Sequence, residues 1–160
     1  MAKDKTPVTQ AVRLLREHGI TFSDHLYKYE ERGGTRVSAQ ELGVDEHCVV
    51  KTLVMEDEHK KPLIVLMHGD REVATGLLAR AIGVKKVMPC DPKTADKHSG
   101  YQVGGTSPFG TRHAMPVYMQ ASIADLPRIY INGGKRGYLI GIDPADVVKV
   151  LNATLVEAAA

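Results

Sequence analysis

Two apolar runs rich in β-branched residues do most to limit how this 160-residue chain can fold. They occupy residues 48–55 (CVVKTLVM) and 62–67 (PLIVLM), and a short polar segment separates them. Runs of this length and composition are typical of β-strands, and the short polar connection predicts a hairpin. We therefore expect a β-sheet that contains this hairpin.

Capping residues and glycines mark the helices that surround the hairpin. Thr6 and Pro7 suit the start of a first helix that ends at Gly19. A second helix is predicted to end at Leu42, where Gly43 stops it, and a third covers 74–82, with Gly83 after its end. A fourth begins at Asp91-Pro92 and ends at Gly100, and a fifth covers 145–151 after Asp143-Pro144. Further strands are predicted at 22–29, 86–88, 101–103, 115–121, 128–131 and 137–142. Hairpin-length connections argue against a doubly wound parallel sheet, so we predict one α+β domain with a mixed sheet over residues 1–160.

Composition narrows the class of protein. An apolar content of 43% and a charged content of 25% are ordinary for a soluble domain. No apolar run approaches the roughly 20 residues that span a bilayer, and the charged N-terminus has no apolar signal region. The two cysteines, Cys48 and Cys90, are far apart and fit reduced thiols, so we expect a cytoplasmic protein.

Glycine is concentrated in two segments of the C-terminal half. Seven of the fifteen glycines lie between residues 100 and 137, in GYQVGGTSPFG (100–110) and NGGKRG (132–137). Glycine lets backbone approach a ligand closely, although two glycine-rich turns would give the same pattern. Basic residues cluster in this half, as in Lys85-Lys86 and Lys135-Arg136, which fits either a modest phosphate-binding face or ordinary solvated surface.

Lys51 interrupts the first apolar run. Strand alternation places Val49, Lys51 and Leu53 on one face, so the lysine falls within a largely apolar set. A lysine that points into a cleft needs water, an anion or a hydrogen-bond acceptor nearby, whereas a lysine at a strand edge can reach solvent. The pattern leaves both alternatives open.

Familiar catalytic and cofactor motifs are missing from the sequence. The seven histidines show no metal-site spacing, and there is no Walker loop or dinucleotide fingerprint. Ser107 precedes Pro108 outside any nucleophile elbow, and the two cysteines lack the setting of a nucleophile. We therefore predict no metal and no cofactor.

Four motifs in order resemble those of the YbaK/EbsC family, which is related to the editing insertion domain of prolyl-tRNA synthetase. They are VKTL (50–53), GVKKV (83–87), GYQVGGTSPFG (100–110) and GGKRG (133–137), and the likeness covers nearly the whole chain. The resemblance implies an α+β fold with a mixed, partly closed sheet. It also implies a trans-editing deacylase that cleaves the ester between a wrong amino acid and the 3′ end of a tRNA. Cys-tRNA(Pro) is the first candidate substrate to test.

The resemblance also implies site residues. Lys51 corresponds to the functionally important lysine of the family, and Tyr27 to a tyrosine that lines the pocket. The backbone at Gly104 and Gly105 would approach the ester, with the amides there stabilising an oxyanion. The remaining expected substrate-binding residues are Thr106, Ser107, Pro108, Asn132, Gly133, Gly134, Lys135 and Arg136. In the family the thiol of a cysteinyl substrate is thought to attack its own ester, which would leave Cys48 and Cys90 as bystanders.

Departures from the family pattern leave the substrate open. Asn132 stands where serine or threonine is common, and Thr106 and Phe109 replace the usual isoleucine and leucine. Alternatives are another small aminoacyl group, as in Ala-tRNA(Pro), or a non-catalytic module that binds tRNA 3′ ends or a synthetase. The expected partner is the tRNA 3′ end. Recruitment by prolyl-tRNA synthetase and the oligomeric state stay open, and no membrane partner is expected.

Overall fold

The computed structural model describes residues 6–160. The first five residues lie outside the described part. They belong to the charged N-terminal segment, for which the sequence predicts no signal peptide. Within residues 6–160 the helices are α1 (Gln10–Glu17), α2 (Gly34–Leu42), α3 (Thr75–Ile82), α4 (Pro92–Ser99) and α5 (Pro144–Leu151). The strands are β1 (Ser23–Leu26), β2 (Val49–Asp57), β3 (Pro62–His68), β4 (Val87–Pro89), β5 (Val117–Gln120), β6 (Ile129–Lys135), β7 (Tyr138–Ile142) and β8 (Thr154–Val156).

The strands form one mixed sheet, which confirms the predicted α+β class. Its order is β1-β7-β6-β2-β3-β5-β8, and β4 also pairs with β2. The β2–β3 hairpin is antiparallel, as the two apolar runs predict, whereas β6 runs parallel to β2 and β5 runs parallel to β3. Strand β2 therefore lies at the centre of the sheet and has three neighbours.

Local sequence signals explain most of the helix boundaries. The side chain of Asp91 accepts the Thr94 N–H at 2.9 Å to cap α4, and Asp143 caps α5 in the same way. Gly43 and Gly83 end α2 and α3 in the left-handed conformation that glycine adopts without steric cost. These boundaries are the predicted ones.

Helices cover both faces of the sheet. The largest core packs α1 and α5 against β3, β5, β6 and β7, with Leu15, Phe109 and Tyr138 fully buried in it. A second core lies under α3, and a smaller one lies under α2. Burial of these apolar side chains is the main source of stability for such a domain.

Some predicted boundaries were wrong. The first helix begins after Thr9 and not after Thr6, because the Thr9 hydroxyl accepts the Val12 N–H and also donates to the Gly133 carbonyl. Residues 101–103 are a turn, since the Tyr101 side chain is buried and its hydroxyl donates to the Phe109 carbonyl. The sequence analysis also missed β8, which adds a parallel edge strand beside β5.

Candidate functional site

A cavity of about 730 Å³ opens where β2 lacks a strand neighbour. On this edge of β2, β6 pairs only with Val49 and Val50, and β4 pairs only with residues 55–57. Between these two contacts, residues 51–54 have no strand partner on this edge, although they pair with β3 on the other. The Cys90 N–H, next to the end of β4, reaches this edge and donates to the Val54 carbonyl at 3.1 Å. The split in the sheet thus creates an opening beside a rigid central strand.

The strand wall of the cavity consists of residues 49–55 of β2. Lys51 lies on this wall, and its side chain is only 18% exposed. The Lys51 ammonium is 3.2 Å from a carboxylate oxygen of Glu72, whose side chain is 84% exposed. The lysine therefore faces the cavity and is held by a carboxylate that projects into solvent.

Thr52, the next residue of the strand wall, has an unsatisfied hydroxyl. Its Oγ1 atom is buried and has no hydrogen-bond partner among the described residues. Its backbone N–H and C=O lie on the unpaired edge, because Val54, two residues further, directs its carbonyl to that same edge. Thr52 therefore presents several polar groups beside the cavity.

The loop wall of the cavity is lined by Val103, Gly104, Thr106, Asn132 and Arg136, which belong to the segments 103–106 and 132–136. The Asn132 side chain links the two segments, because its Nδ2 donates to the Gly104 carbonyl at 3.2 Å. Its Oδ1 accepts the backbone N–H groups of Gly134 and Lys135 at 2.7 and 3.1 Å. These bonds fix the bulge at the end of β6.

Arg136 and Tyr29 meet on the loop wall. The Arg136 guanidinium carbon lies 5.1 Å from the centre of the Tyr29 ring, and its Nε donates to the Val103 carbonyl at 2.9 Å. Gly104 has a φ of 90°, and a Cβ at that position would lie 2.5 Å from the Tyr29 hydroxyl. Glycine is required here because both the conformation and the space exclude a side chain.

Six of the predicted site residues line the cavity: Lys51, Tyr27, Gly104, Thr106, Asn132 and Arg136. The other six do not line it: Gly105, Ser107, Pro108, Gly133, Gly134 and Lys135. Gly105 packs against the backbone of Arg136 and donates its N–H to the Gln102 carbonyl at 2.7 Å. Ser107 is fully buried, and its hydroxyl accepts the Phe109 N–H. The second set therefore shapes the loop wall from behind.

Two titratable groups on the lining are held in their neutral forms. Burial raises the pKa of Tyr27 above its usual range. Burial, with the neighbouring Glu56 and Asp91 carboxylates, raises the pKa of Cys90 to about 11. Burial also raises the pKa of Cys48, which is not a lining residue. A thiol with a raised pKa is a poor nucleophile at neutral pH, because little thiolate is present.

A histidine cluster lies next to the segment that carries Glu72. The rings of His47 and His68 stack 3.8 Å apart, and His47 Nδ1 is 2.9 Å from a carboxylate oxygen of Asp70. Both ring nitrogens of His68 already have partners, the His47 carbonyl and the Ser122 hydroxyl, each at 2.7 Å. Stacked rings do not direct their lone pairs to a common point, so this cluster fits a structural network better than a metal centre.

The sequence analysis missed several residues of this site. Spacing along the chain did not predict the histidine cluster, because His47 and His68 meet only through the β2–β3 pairing. Tyr29 and Thr52 line the cavity without having been singled out, and Cys90, which was expected to be a bystander, also lines it. The sequence signal that was available for Thr52 is its position beside Lys51 in a strand.

No helix in the described part of the chain is both long and apolar enough to cross a membrane.

Comparison with known proteins relates this architecture to tRNA editing. EbsC of Enterococcus faecalis, a candidate Cys-tRNA(Pro)/Cys-tRNA(Cys) deacylase, is 30% identical over 98% of this chain and 97% of its own length. A proline–tRNA ligase of Limosilactobacillus fermentum is 23% identical over 63% of this chain and 18% of the ligase.

Solved structures show the same fold. The crystal structure of a candidate trans-editing enzyme for prolyl-tRNA synthetase superposes with a TM-score of 0.82, at 19% identity, over 97% of this chain and 99% of that one. A hypothetical protein of known structure superposes with a TM-score of 0.87, at 20% identity, over 95% of this chain and all of that one. The sequence pattern of the aminoacyl-tRNA editing domain matches residues 32–150, and this chain therefore belongs to the aminoacyl-tRNA editing domain family.

Proposed function

We propose that this chain is a trans-editing deacylase that hydrolyses the ester of a misacylated tRNA, with Cys-tRNA(Pro) as the first candidate substrate to test. One observation carries the proposal: in a chain of the editing domain family, a cavity opens between a lysine-bearing strand wall and a glycine-rich loop wall. An aminoacyl ester is already activated, so positioning and electrostatics can supply much of the catalysis.

Lys51 and Arg136 are the cations of the cavity best placed for the RNA end. Lys51 is largely screened from solvent, which strengthens its field inside the cavity. Arg136 lies on the opposite, loop wall and is exposed. We assign Lys51 to the terminal ribose or phosphate and Arg136 to the phosphate backbone beside it.

The oxyanion of the reaction requires hydrogen-bond donors at the ester carbonyl. Gly104 and Gly105 are the proposed donors, but the Gly105 N–H already bonds to the Gln102 carbonyl. The Gly104 N–H has no such partner within the described residues, so it is the better candidate of the two. The absence of a side chain at Gly104 makes room for the Tyr29 hydroxyl, which would lie 2.5 Å from a Cβ there.

Two chemical routes release the amino acid. In the first, a water oxygen adds to the ester carbonyl carbon, the bond to the ribose oxygen breaks, and that oxygen takes a proton, giving a free amino acid. In the second, the thiol sulfur of a cysteinyl substrate adds to its own carbonyl carbon and the ribose oxygen leaves with the thiol proton, giving a thiolactone. The second route needs no protein nucleophile, which agrees with the raised pKa of Cys90.

Deacylation of Cys-tRNA(Pro) and Ala-tRNA(Pro) tests the proposal, with wild type beside Lys51→Ala. We expect wild type to release cysteine and the variant to lose about 100-fold in kcat/KM, because a charge aimed at the reacting end is removed. Lys149→Ala is the matched control, since Lys149 is an exposed lysine on α5 outside the cavity lining.

The outcomes separate the candidate functions. Release of alanine alone would keep the activity and change the substrate. Turnover no faster than spontaneous hydrolysis, together with salt-dependent tRNA binding, would favour a non-catalytic tRNA-binding module. Mass spectrometry of the first product would distinguish free cysteine from its thiolactone.

A further inference from the structure

The unsatisfied hydroxyl of Thr52 is the clearest mark of a missing ligand group in the described part of the chain. Buried hydroxyls in folded proteins nearly always have a hydrogen-bond partner, because burial without one costs folding free energy. The Thr52 Oγ1 atom has none among the described residues, although Thr52 belongs to the strand wall of the cavity. A molecule bound in the cavity can supply this partner if the Thr52 side chain turns towards it.

The position of Thr52 indicates which part of a substrate would reach it. Basic and polar lining residues, including Arg32, Asn132 and Arg136, suit the phosphate and ribose of an RNA end. Past Thr52 along β2 the lining becomes apolar, with Leu53, Val54, Met55, Pro89, Cys90, Pro92 and Ala95. A small amino acid side chain fits this apolar part, and Thr52 stands at its entrance.

We propose that Thr52 determines specificity, and that its hydroxyl forms a hydrogen bond with the thiol or hydroxyl of the aminoacyl side chain. The proposal rests on the proposed editing function and deepens it. The Oγ1 atom is screened from water, so the exposed part of Thr52 belongs to its other atoms. The proposed bond therefore requires a change of the Thr52 χ1 rotamer that turns Oγ1 towards the cavity.

An alanyl group offers no partner to this hydroxyl. A site that contains an unpaired polar group binds the matching polar substrate better than an apolar analogue, because the analogue leaves the group unsatisfied. Thr52 thus favours the binding of cysteinyl or seryl groups over alanyl groups, before any difference in the reactivity of their esters.

Binding of stable analogues tests this inference without requiring turnover. The probes are 3′-amino-3′-deoxyadenosine that carries seryl, cysteinyl or alanyl groups in amide linkage, and titration calorimetry gives each Kd. We expect wild type to bind the seryl analogue roughly 3- to 10-fold more tightly than the alanyl analogue, the range of one hydrogen bond. Thr52→Val should bring this ratio close to one, and Thr52→Ser, which keeps the hydroxyl, should retain most of it.

A second readout separates ligand recognition from a structural role. Valine has the shape of threonine without the unsatisfied hydroxyl, so Thr52→Val should raise the Tm of the free protein by roughly 2–6 °C. Thr154→Val, on the exposed strand β8, is the matched control and should change Tm by less than about 2 °C. A lower Tm for Thr52→Val would show that the hydroxyl has a partner within the protein, and would overturn the proposal.

The analogue experiment also distinguishes the two proposals from each other. If the analogues bind with the expected Thr52-dependent ratio but the esters are not cleaved, the deacylase function fails and Thr52 recognition stands. If Thr52→Val weakens the binding of the seryl and alanyl analogues equally, the hydroxyl contacts a group common to all aminoacyl ends. That result, or the absence of analogue binding to wild type, would overturn the assignment of specificity to Thr52.

Discussion

The two walls of the cavity are built in different ways. The strand wall belongs to a central strand that backbone hydrogen bonds to β3 hold along nearly its whole length. The loop wall contains no regular strand pairing at residues 103–106, and side chains such as Asn132 and Arg136 hold it through bonds to backbone carbonyls. The sheet therefore fixes the positions of the residues on the strand wall, whereas the hydrogen bonds of a few side chains fix the positions of the residues on the loop wall.

This difference suits different roles for the two walls in ligand binding. A rigid strand is a good support for groups that must keep an accurate position, such as Lys51 and Thr52. Loops supply backbone that approaches the ligand closely and polar contacts that can adapt to it. We expect substitutions behind the loop wall to act through its shape, and substitutions behind the strand wall to act through electrostatics.

Among substitutions in the loop wall, the largest effect is expected from Gly105→Ala. An added Cβ would lie 2.7 Å from the Arg136 backbone nitrogen and 2.9 Å from the Lys135 carbonyl carbon, so the two segments of the loop wall must separate. We expect the free energy of unfolding to fall by about 1–3 kcal/mol, as for overpacked sites, and kcat/KM to fall more than tenfold. Denaturant unfolding and deacylation kinetics measure the two effects.

Gly76→Ala is the control for this substitution. Gly76 lies in α3 with open space around its Cβ position, so alanine should stabilise the protein by about 0.5–1 kcal/mol through helix propensity. Unchanged stability and activity in Gly105→Ala would show that the loop wall tolerates displacement, and the contrast between the two walls would lose its basis.

Asn132→Ala should have the next largest effect. The substitution removes one donor to the Gly104 carbonyl and one acceptor for two N–H groups, at a cost of about 0.5–1.5 kcal/mol in stability, because water can reach most of these groups. KM should rise because the loop wall no longer holds its shape before substrate binds. Asn132→Asp keeps the acceptor and loses the donor, so it should lie between wild type and alanine. Equal KM values for all three would show that the link to Gly104 has no part in binding.

The sequence predicted those parts of the fold that local signals determine. The Asp91-Pro92 and Asp143-Pro144 pairs each place a capping carboxylate one residue before a proline, and both helices begin there. Thr6-Pro7 offered the same kind of signal, but the first helix is capped by Thr9, which also makes a long-range bond to Gly133. Burial of Tyr101 likewise converts a strand-like stretch into a turn.

The cavity was predictable only as a set of candidate residues. Its existence depends on how far β6 and β4 extend along β2, and strand register is a tertiary property. The pairing of Lys51 with Glu72, 21 residues away, has no local signal in the sequence. Glycine and lysine motifs predicted candidate ligand-binding residues, six of which line the cavity, whereas the unsatisfied Thr52 hydroxyl is seen only in the three-dimensional structure.

Acidification should weaken the support behind the strand wall. Burial lowers the pKa of His68 below its usual range, so the folded protein favours neutral His68. Its contribution to stability is therefore complete above the unfolded pKa of about 6.5 and is lost as pH falls through the lower, folded pKa. Thermal unfolding between pH 7.5 and 5 should show Tm decreasing, and His68→Gln should make the decrease shallower. Some slope should persist, since the pKa of His25 is lowered in the same way. An unchanged slope in His68→Gln would assign the pH dependence to other groups.

The smallest effect is expected from Glu72→Gln, on the strand wall. An ion pair with one partner so exposed is worth only about 0.2–1 kcal/mol, so the substrate phosphate can displace Glu72 from Lys51 at little cost. Removing the carboxylate should lower KM by up to about fivefold and leave kcat near the wild-type value, because Lys51 no longer has a competing anion. Steady-state deacylation at low salt measures both constants.

Two further variants decide whether Glu72 acts through Lys51. Glu72→Gln in a Lys51→Ala background should have no additional effect on KM, because the competing pair is already absent. Glu17→Gln, an exposed carboxylate on α1, removes the same charge away from the cavity and should change KM little. A fall in kcat at constant KM for Glu72→Gln would mean that the carboxylate orients Lys51 during the reaction. The strand wall would then depend on an exposed side chain, as the loop wall does on Asn132, and the sheet alone would not set the position of the lysine.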